Sequence, residues 1–132
     1  MRYALDTNTI IHLIRGTPTV RTRRTQAQNE GAMFFIPPFV HYEMQRGLFI
    51  RPIPSHIQAY EIIAENCLLG EMNAPTWQRA ARIYADLYAQ HFTVSDSDII
   101  IAAYCLEHDC TLVTNNTNDF KNIHDLHLVD WV

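Results

Sequence analysis

Little in this chain points to a membrane, a disulfide framework or a thiolate metal site. No apolar run approaches the ~18 residues of a bilayer span, and the amino terminus lacks the apolar segment and small-residue cleavage pattern of a signal peptide. A cytoplasmic protein without membrane association is the expectation. The three cysteines, Cys67, Cys105 and Cys110, are odd in number and form no close CxxC pair, which fits reduced thiols in the interior. None of the histidines sits in an HExxH pair, and no DxDxDG calcium loop is present. Internal repeats, low-complexity tracts and linker-like stretches are absent as well. Lysine is nearly missing: Lys121 stands alone, so arginine carries almost all of the positive charge.

What remains is an ordinary globular composition. With 132 residues, 48% of them hydrophobic and 18% charged, the chain can bury one sizeable core, and a single domain over residues 1–132 is expected. The net charge of −4 does not announce a nucleic-acid binder, but its distribution is uneven. Residues 1–54 carry seven arginines against three acids, a net +4, whereas residues 55–132 carry three basic residues against eleven acids, a net −8. The basic run at Arg21, Arg23 and Arg24 reads as a solvated helix face or as a phosphate contact.

Strand-like and helix-like segments alternate. RYAL, MFFI, TLVT and LHLVDWV read as strands. TNTIIHLIRG reads as a helix ending at Gly16, PTVRTRRTQAQNEG as one that Pro18 starts and Gly31 stops, and FVHYEMQRGL as another. Residues 55–69 and 75–90 have apolar positions at helical spacing and are expected to form a helical pair; DSDIIIAAYCLEHD gives a further helix. The aromatics in these periodic stretches, Tyr42, Phe49, Tyr60 and Trp77, fit core positions more readily than base stacking or contacts with a partner helix, and the sequence assigns them to none of these. This alternation predicts an α/β fold, a three-layer α/β/α sandwich around a small, mostly parallel central sheet.

Within that fold, YALDTN places Asp6 directly after the first strand. It is either the N-cap of the following helix or a carboxylate at the strand end, where open α/β sheets form their ligand crevice. Thr114, Asn115 and Asn116 follow TLV and would come to the same sheet edge. Glu43 follows the second strand, near a helix start, and reads either as a first-turn glutamate or as a ligand. Asp98 follows Ser95 by three residues, a capping-box spacing. Its neighbour Asp96 is the weaker candidate and a possible cap itself, and Asp119 follows the TLV strand. Each acid alone is ambiguous. Together, Asp6, Glu43, Asp98 and Asp119 would repel one another unless a hard divalent cation such as Mg²⁺ or Mn²⁺ compensated them.

LDTNTII, YEMQRG, SDIIIAA and LVTNNTNDF followed by LHLVDW, in this order and spacing, resemble the PIN-domain family, in particular the VapC-type toxins of bacterial toxin–antitoxin modules. The likeness runs nearly end to end. It implies a metal-dependent endoribonuclease that uses one or two Mg²⁺ or Mn²⁺ ions, with RNA as substrate (a structured RNA such as a tRNA loop), a cognate antitoxin as partner, and a homodimer. By that likeness Asp6, Glu43 and Asp98 are the first three acids of the site. The fourth falls on Asp119, or on the position of Asn116, where some relatives carry the acid. Thr7 and Asn8 would support Asp6, and Pro37 replaces a polar residue common before the glutamate helix. Two other functions are compatible with a strand followed by an aspartate. One is a phosphatase with Asp6 as nucleophile, although position 8 is Asn where a DxD motif needs an acid. The other is a non-catalytic module that binds a metal or a partner. Arg46 is a candidate partner contact.

Overall fold

The run RYAL is strand β1 (Arg2–Leu5) of a computed structural model that describes residues 1–132. Ala4 and Leu5 are fully buried, as befits a central strand covered on both faces. Helix α1 (Thr7–Arg15) follows without a loop and stops at Gly16, which takes a left-handed φ of 78° that favours a residue without Cβ. Pro18 occupies the first turn of α2 (Pro18–Asn29), where its missing N–H has no partner to lose. Next come β2 (Met33–Ile36) and α3 (Pro38–Ile50), which Pro37 and Pro38 introduce. They are followed by α4 (Pro54–Glu65), a two-residue strand β3 (Leu68–Leu69) and α5 (Ala74–Ala89), the last capped by Asn73, whose side chain accepts from the Thr76 N–H and hydroxyl. The chain ends with α6 (Asp96–Glu107), β4 (Thr111–Val113), α7 (Thr117–Phe120) and β5 (Leu128–Val129).

The five strands form one sheet, parallel throughout, in the order β3-β2-β1-β4-β5. The chain moves outward from β1 through β2 to β3, then returns to the other side of β1 as β4 and β5. Right-handed crossovers then put α1 to α4 on one face and α5 to α7 on the other. The packing agrees: α1 touches α2, α3 and α4, while α6 touches α5 and α7. Helices α3 and α6 also touch each other, which joins the two layers. The strand order reverses between β1 and β4, and a doubly wound sheet opens its crevice at such a point, beyond the carboxyl ends of the strands.

Three expectations are corrected here. The helix over 55–69 stops at Glu65, and Leu68–Leu69 pairs with Phe35 and Ile36 as the edge strand β3. The expected helical pair does not form as such, since α4 packs on α1 and α5 packs on α6. Of the four aromatics for which the sequence favours a core position without assigning one, only Tyr60 is buried; Tyr42, Phe49 and Trp77 are at least half exposed. The cysteines are free, with Cys105 and Cys110 buried and Cys67 partly so.

Candidate active site

Both interpretations of YALDTN hold at once. Asp6 is the N-cap of α1, its Oδ1 accepting the Thr7 N–H at 2.8 Å, and its own N–H donates across the switch point to the Val113 carbonyl at 3.0 Å. Its Oδ2 accepts from the Thr114 hydroxyl at 2.8 Å and from the Asn8 amide at 3.1 Å. The residue is only 5% exposed. Burial raises the Asp6 pKa above its ordinary value; the Thr114, Thr7 and Asn8 hydrogen bonds oppose that rise and the Asp119 charge adds to it. An ionised carboxylate has about four acceptor positions. Three hydrogen bonds therefore hold Asp6 in place and leave it room for one more ligand.

Glu43 reaches the same edge from α3. It lies in the second turn of that helix, not the first, so favourable interaction with the helix start does not account for it. The Thr7 hydroxyl donates to its Oε1 at 2.9 Å, and Arg46, one turn on, approaches its Oε2 at 3.9 Å. Asp98 enters from the first turn of α6, with Ser95 as the helix cap accepting the Asp98 N–H at 3.3 Å. Burial raises the Asp98 pKa first of all, the Ser95 hydrogen bond opposes this, and the charges of Asp6, Asp119 and Glu43 raise it further. Asp119 sits exposed in α7. Acids from separate parts of the chain thus come within the electrostatic reach of Asp98, which feels Asp6, Glu43 and Asp119.

Asp96 stands apart. Ser95, not Asp96, caps α6, and Asp96 is an exposed first residue of the helix. Asn116 begins α7 without a side-chain cap, and its N–H donates to the Thr114 hydroxyl at 3.0 Å. Thr114 carries more than the sequence showed: completely buried, it ties together Asp6, Asn8 and Asn116. Its only signal was its place as the first polar residue after β4. From Asn8 the network continues through Oδ1, which accepts the Asn115 N–H at 3.1 Å, and on from the Asn115 side chain to His12 Nε2 at 3.4 Å. His12 is anchored at Nδ1 by Thr17, and His41 by Tyr60, so both histidines have packing partners.

The donors gathered here are carboxylate, hydroxyl and amide oxygens, the set that suits a hard divalent cation. In this arrangement no three His, Cys, Asp or Glu side chains converge tightly enough to hold a metal ion. The cluster is open, matched to such an ion in chemistry and charge and requiring its side chains to draw in around one. Arg46 is the one Lys or Arg within 4.0 Å of any of the four acids; it is half exposed, approaches Glu43 alone among them and lies over the Tyr42 ring.

Comparison with known proteins bears on this arrangement. The family described as PIN domain matches residues 3–126. Ribonuclease VapC1 of Haemophilus influenzae (strain R2866) is 26% identical over 132 residues, which cover 99% of this chain and 98% of that protein. The solved structure of VapBC-1 from nontypeable Haemophilus influenzae superposes with a TM-score of 0.86 at 26% identity, over 99% of this chain and 98% of its own. VapBC2 from Rickettsia felis, solved bound to a DNA fragment, gives a TM-score of 0.89 over 100% of both chains; at 22% identity that likeness concerns the fold.

Proposed function

This chain belongs to the PIN-domain family, and from that premise we propose that it is a metal-dependent endoribonuclease, the toxin of a toxin–antitoxin pair. The observation that carries the proposal is the approach of Asp6, Glu43 and Asp119 to Asp98 near the switch point of the sheet, with the Thr7 hydroxyl tying Glu43 to the turn that Asp6 begins. Asp6, Glu43 and Asp98 would hold Mg²⁺ or Mn²⁺, with Asp119 as the fourth acid. An ion bound there supplies neutralisation of charge on the phosphate and a lowered pKa for attacking water.

The chain's own contribution is orientation. The Thr7 N–H, the Asn8 amide and the Thr114 hydroxyl fix both oxygens of Asp6, and the Thr7 hydroxyl ties Glu43 to the same turn. One residue, Thr7, therefore sets the spacing of two acids through its backbone and its side chain. Attack by water on phosphorus with release of the 3′-oxygen leaves a 5′-phosphate and a 3′-hydroxyl.

The relatives named ribonucleases and the VapBC complexes among the solved structures support an RNA substrate and an antitoxin partner for this chain. A tRNA loop as the RNA, a homodimer and a cytoplasmic setting complete the proposal; no helix is long and apolar enough to cross a membrane. The phosphatase alternative gains nothing from the geometry, because position 8 is an amide that donates to Asp6.

Incubating the purified protein with labelled RNA tests the proposal. Mg²⁺ or Mn²⁺ should support cleavage to 5′-phosphate ends, EDTA should stop it, and Asp6→Asn or Asp98→Asn should abolish it in folded protein. Cleavage retained in both variants, or 2′,3′-cyclic phosphate ends, would remove the proposed site.

A further inference from the structure

A groove of about 750 Å³ lies between α5, the carboxyl-terminal part of α6, and the segment after α7 from Lys121 to Asp125. Residues 55–132 hold eleven acids and only three Lys or Arg, namely Arg79, Arg82 and Lys121. Those three, scattered over some forty positions, all line this one groove. Arg79 is paired with Glu107 at 2.6 Å, and His124, also in the lining, with Asp125 at 3.4 Å. Arg82 and Lys121 have no carboxylate within 4.0 Å and are exposed. Of the two lining acids, Asp125 contacts the neighbouring His124 ring and Asp86 has no Lys, Arg or His within 4.0 Å.

The groove's position relates it to the acids. Lys121 lies two residues beyond Asp119, directly after α7. Asp98 is in the first turn of α6 and Leu106, in the groove lining, is near its end, about 12 Å along the helix axis at 1.5 Å per residue. The groove therefore lies on the flank of the molecule, with Lys121 as its lining residue nearest in sequence to the acids. Residues 55–132 carry a net charge of −8, and their only three Lys and Arg side chains collect along this groove, beside Asp86 and Asp125. Two of those cations are free to exchange their counterions for phosphates.

The geometry points to this groove as the track for the phosphate backbone of the RNA strand beyond the cleaved bond, with Arg82 and Lys121 as its phosphate contacts. This inference rests on the ribonuclease activity proposed above. Arginine can bind a phosphate with two parallel hydrogen bonds and lysine contributes a point charge, so the contacts hold the strand without selecting its sequence.

The test is the double variant Arg82→Gln/Lys121→Gln, assayed with a fluorescent single-stranded 12-mer RNA and with a dinucleotide too short to enter the groove. Two lost phosphate contacts lower the slope of log affinity against log salt by about 1.4 and weaken 12-mer binding by about tenfold near 0.15 M salt. Anisotropy should show this loss; cleavage of the 12-mer should show a raised KM at unchanged kcat; cleavage of the dinucleotide should not change. Asp86→Asn should tighten 12-mer binding. An unaltered salt slope and KM in the double variant would overturn the inference, as would loss of antitoxin binding with RNA binding intact. If wild-type protein cleaves no RNA with Mn²⁺ present, the ribonuclease activity itself is refuted; the anisotropy comparison still decides whether the groove binds RNA.

Discussion

Asp98→Asn should make the metal-free protein more stable while removing its activity. Asp98 feels three other carboxylates, Asp6, Asp119 and Glu43, in addition to its own burial. Two like charges ~8 Å apart in a water-filled cleft repel by about 0.5 kcal/mol, so removing one of four relieves on the order of 1.5 kcal/mol. Losing a negative charge from the first turn of α6 gives back about 0.5 kcal/mol of favourable interaction with the helix start. The net gain is about 1 kcal/mol, which for 132 residues amounts to about 3 to 4 °C in Tm. The pH dependence has a defined sign. Asp98 has a folded pKa raised above its ordinary value of 3.8, so its contribution to stability is fully present below that value and is lost as pH rises through the raised folded value. The Tm advantage of the variant should therefore be absent near pH 3.8 and fully developed at neutral pH. Mn²⁺ should invert the order, stabilising wild type and leaving the variant nearly unmoved. Calorimetry in EDTA and in Mn²⁺, from pH 4 to pH 7.5, reads all of this. A variant no more stable than wild type in EDTA at pH 7, or an equal Mn²⁺ effect on both, would show that these carboxylates do not share one place.

Thr114→Val removes the donor to Asp6 Oδ2 and the acceptor of the Asn116 N–H in a fully buried position. Leaving such groups unpaired costs about 1–3 kcal/mol each, so urea unfolding should show a loss of that order, and RNA cleavage should fall because Asp6 loses one of its three constraints. Gly70→Ala tests the fold instead of the chemistry. A Cβ at Gly70 would overlap the hydroxyl and ring of Tyr104, itself almost fully buried on α6, so thermal unfolding should show a destabilisation of about 1–3 kcal/mol. A neutral Gly70→Ala would mean that the turn after β3 does not pack on α6.

The parts of the fold that were legible in the sequence are those in which a local signal coincides with a buried surface. MFFI and TLV are short apolar runs between turn residues, and both became strands of a sheet covered on two faces. Gly16 and Pro18 mark helix ends by backbone chemistry alone. Leu68–Leu69 carries no such signal: two residues show no period, and only pairing with β2 makes them a strand. Helical spacing shows that 55–65 and 75–89 each bury a face, but it cannot name the face opposite, which is α1 for one and α6 for the other. The acids Asp6, Glu43 and Asp98 stood out because each follows a recognisable strand or cap. Thr114 and Asn115 did not acquire a role, because a hydroxyl and an amide after a strand gain meaning only when β1 and β4 are known to be neighbours.

That adjacency also explains how four acids can gather in a stable protein. In a parallel sheet the carboxyl ends of the strands and the starts of the following helices lie along one edge. The polar residues needed to begin helices therefore collect where a ligand would bind, and capping and ligand chemistry draw on the same side chains. Asp6 caps α1, and Asp98 sits in the first turn of α6; the partial positive charge at each helix start offsets part of the repulsion. Glu43 lacks that support, being a turn further into α3, and it is the acid held by the Thr7 hydroxyl and approached by Arg46. Asp6 and Glu43 are thus held in place by hydrogen bonds before any cation arrives, while burial raises the pKa of Asp6 and Asp98 against the pull of those helix starts. The repulsion that remains is small compared with the stability of the sheet, so relieving it shifts Tm by a few degrees; a fold that depended on the ion would collapse without it.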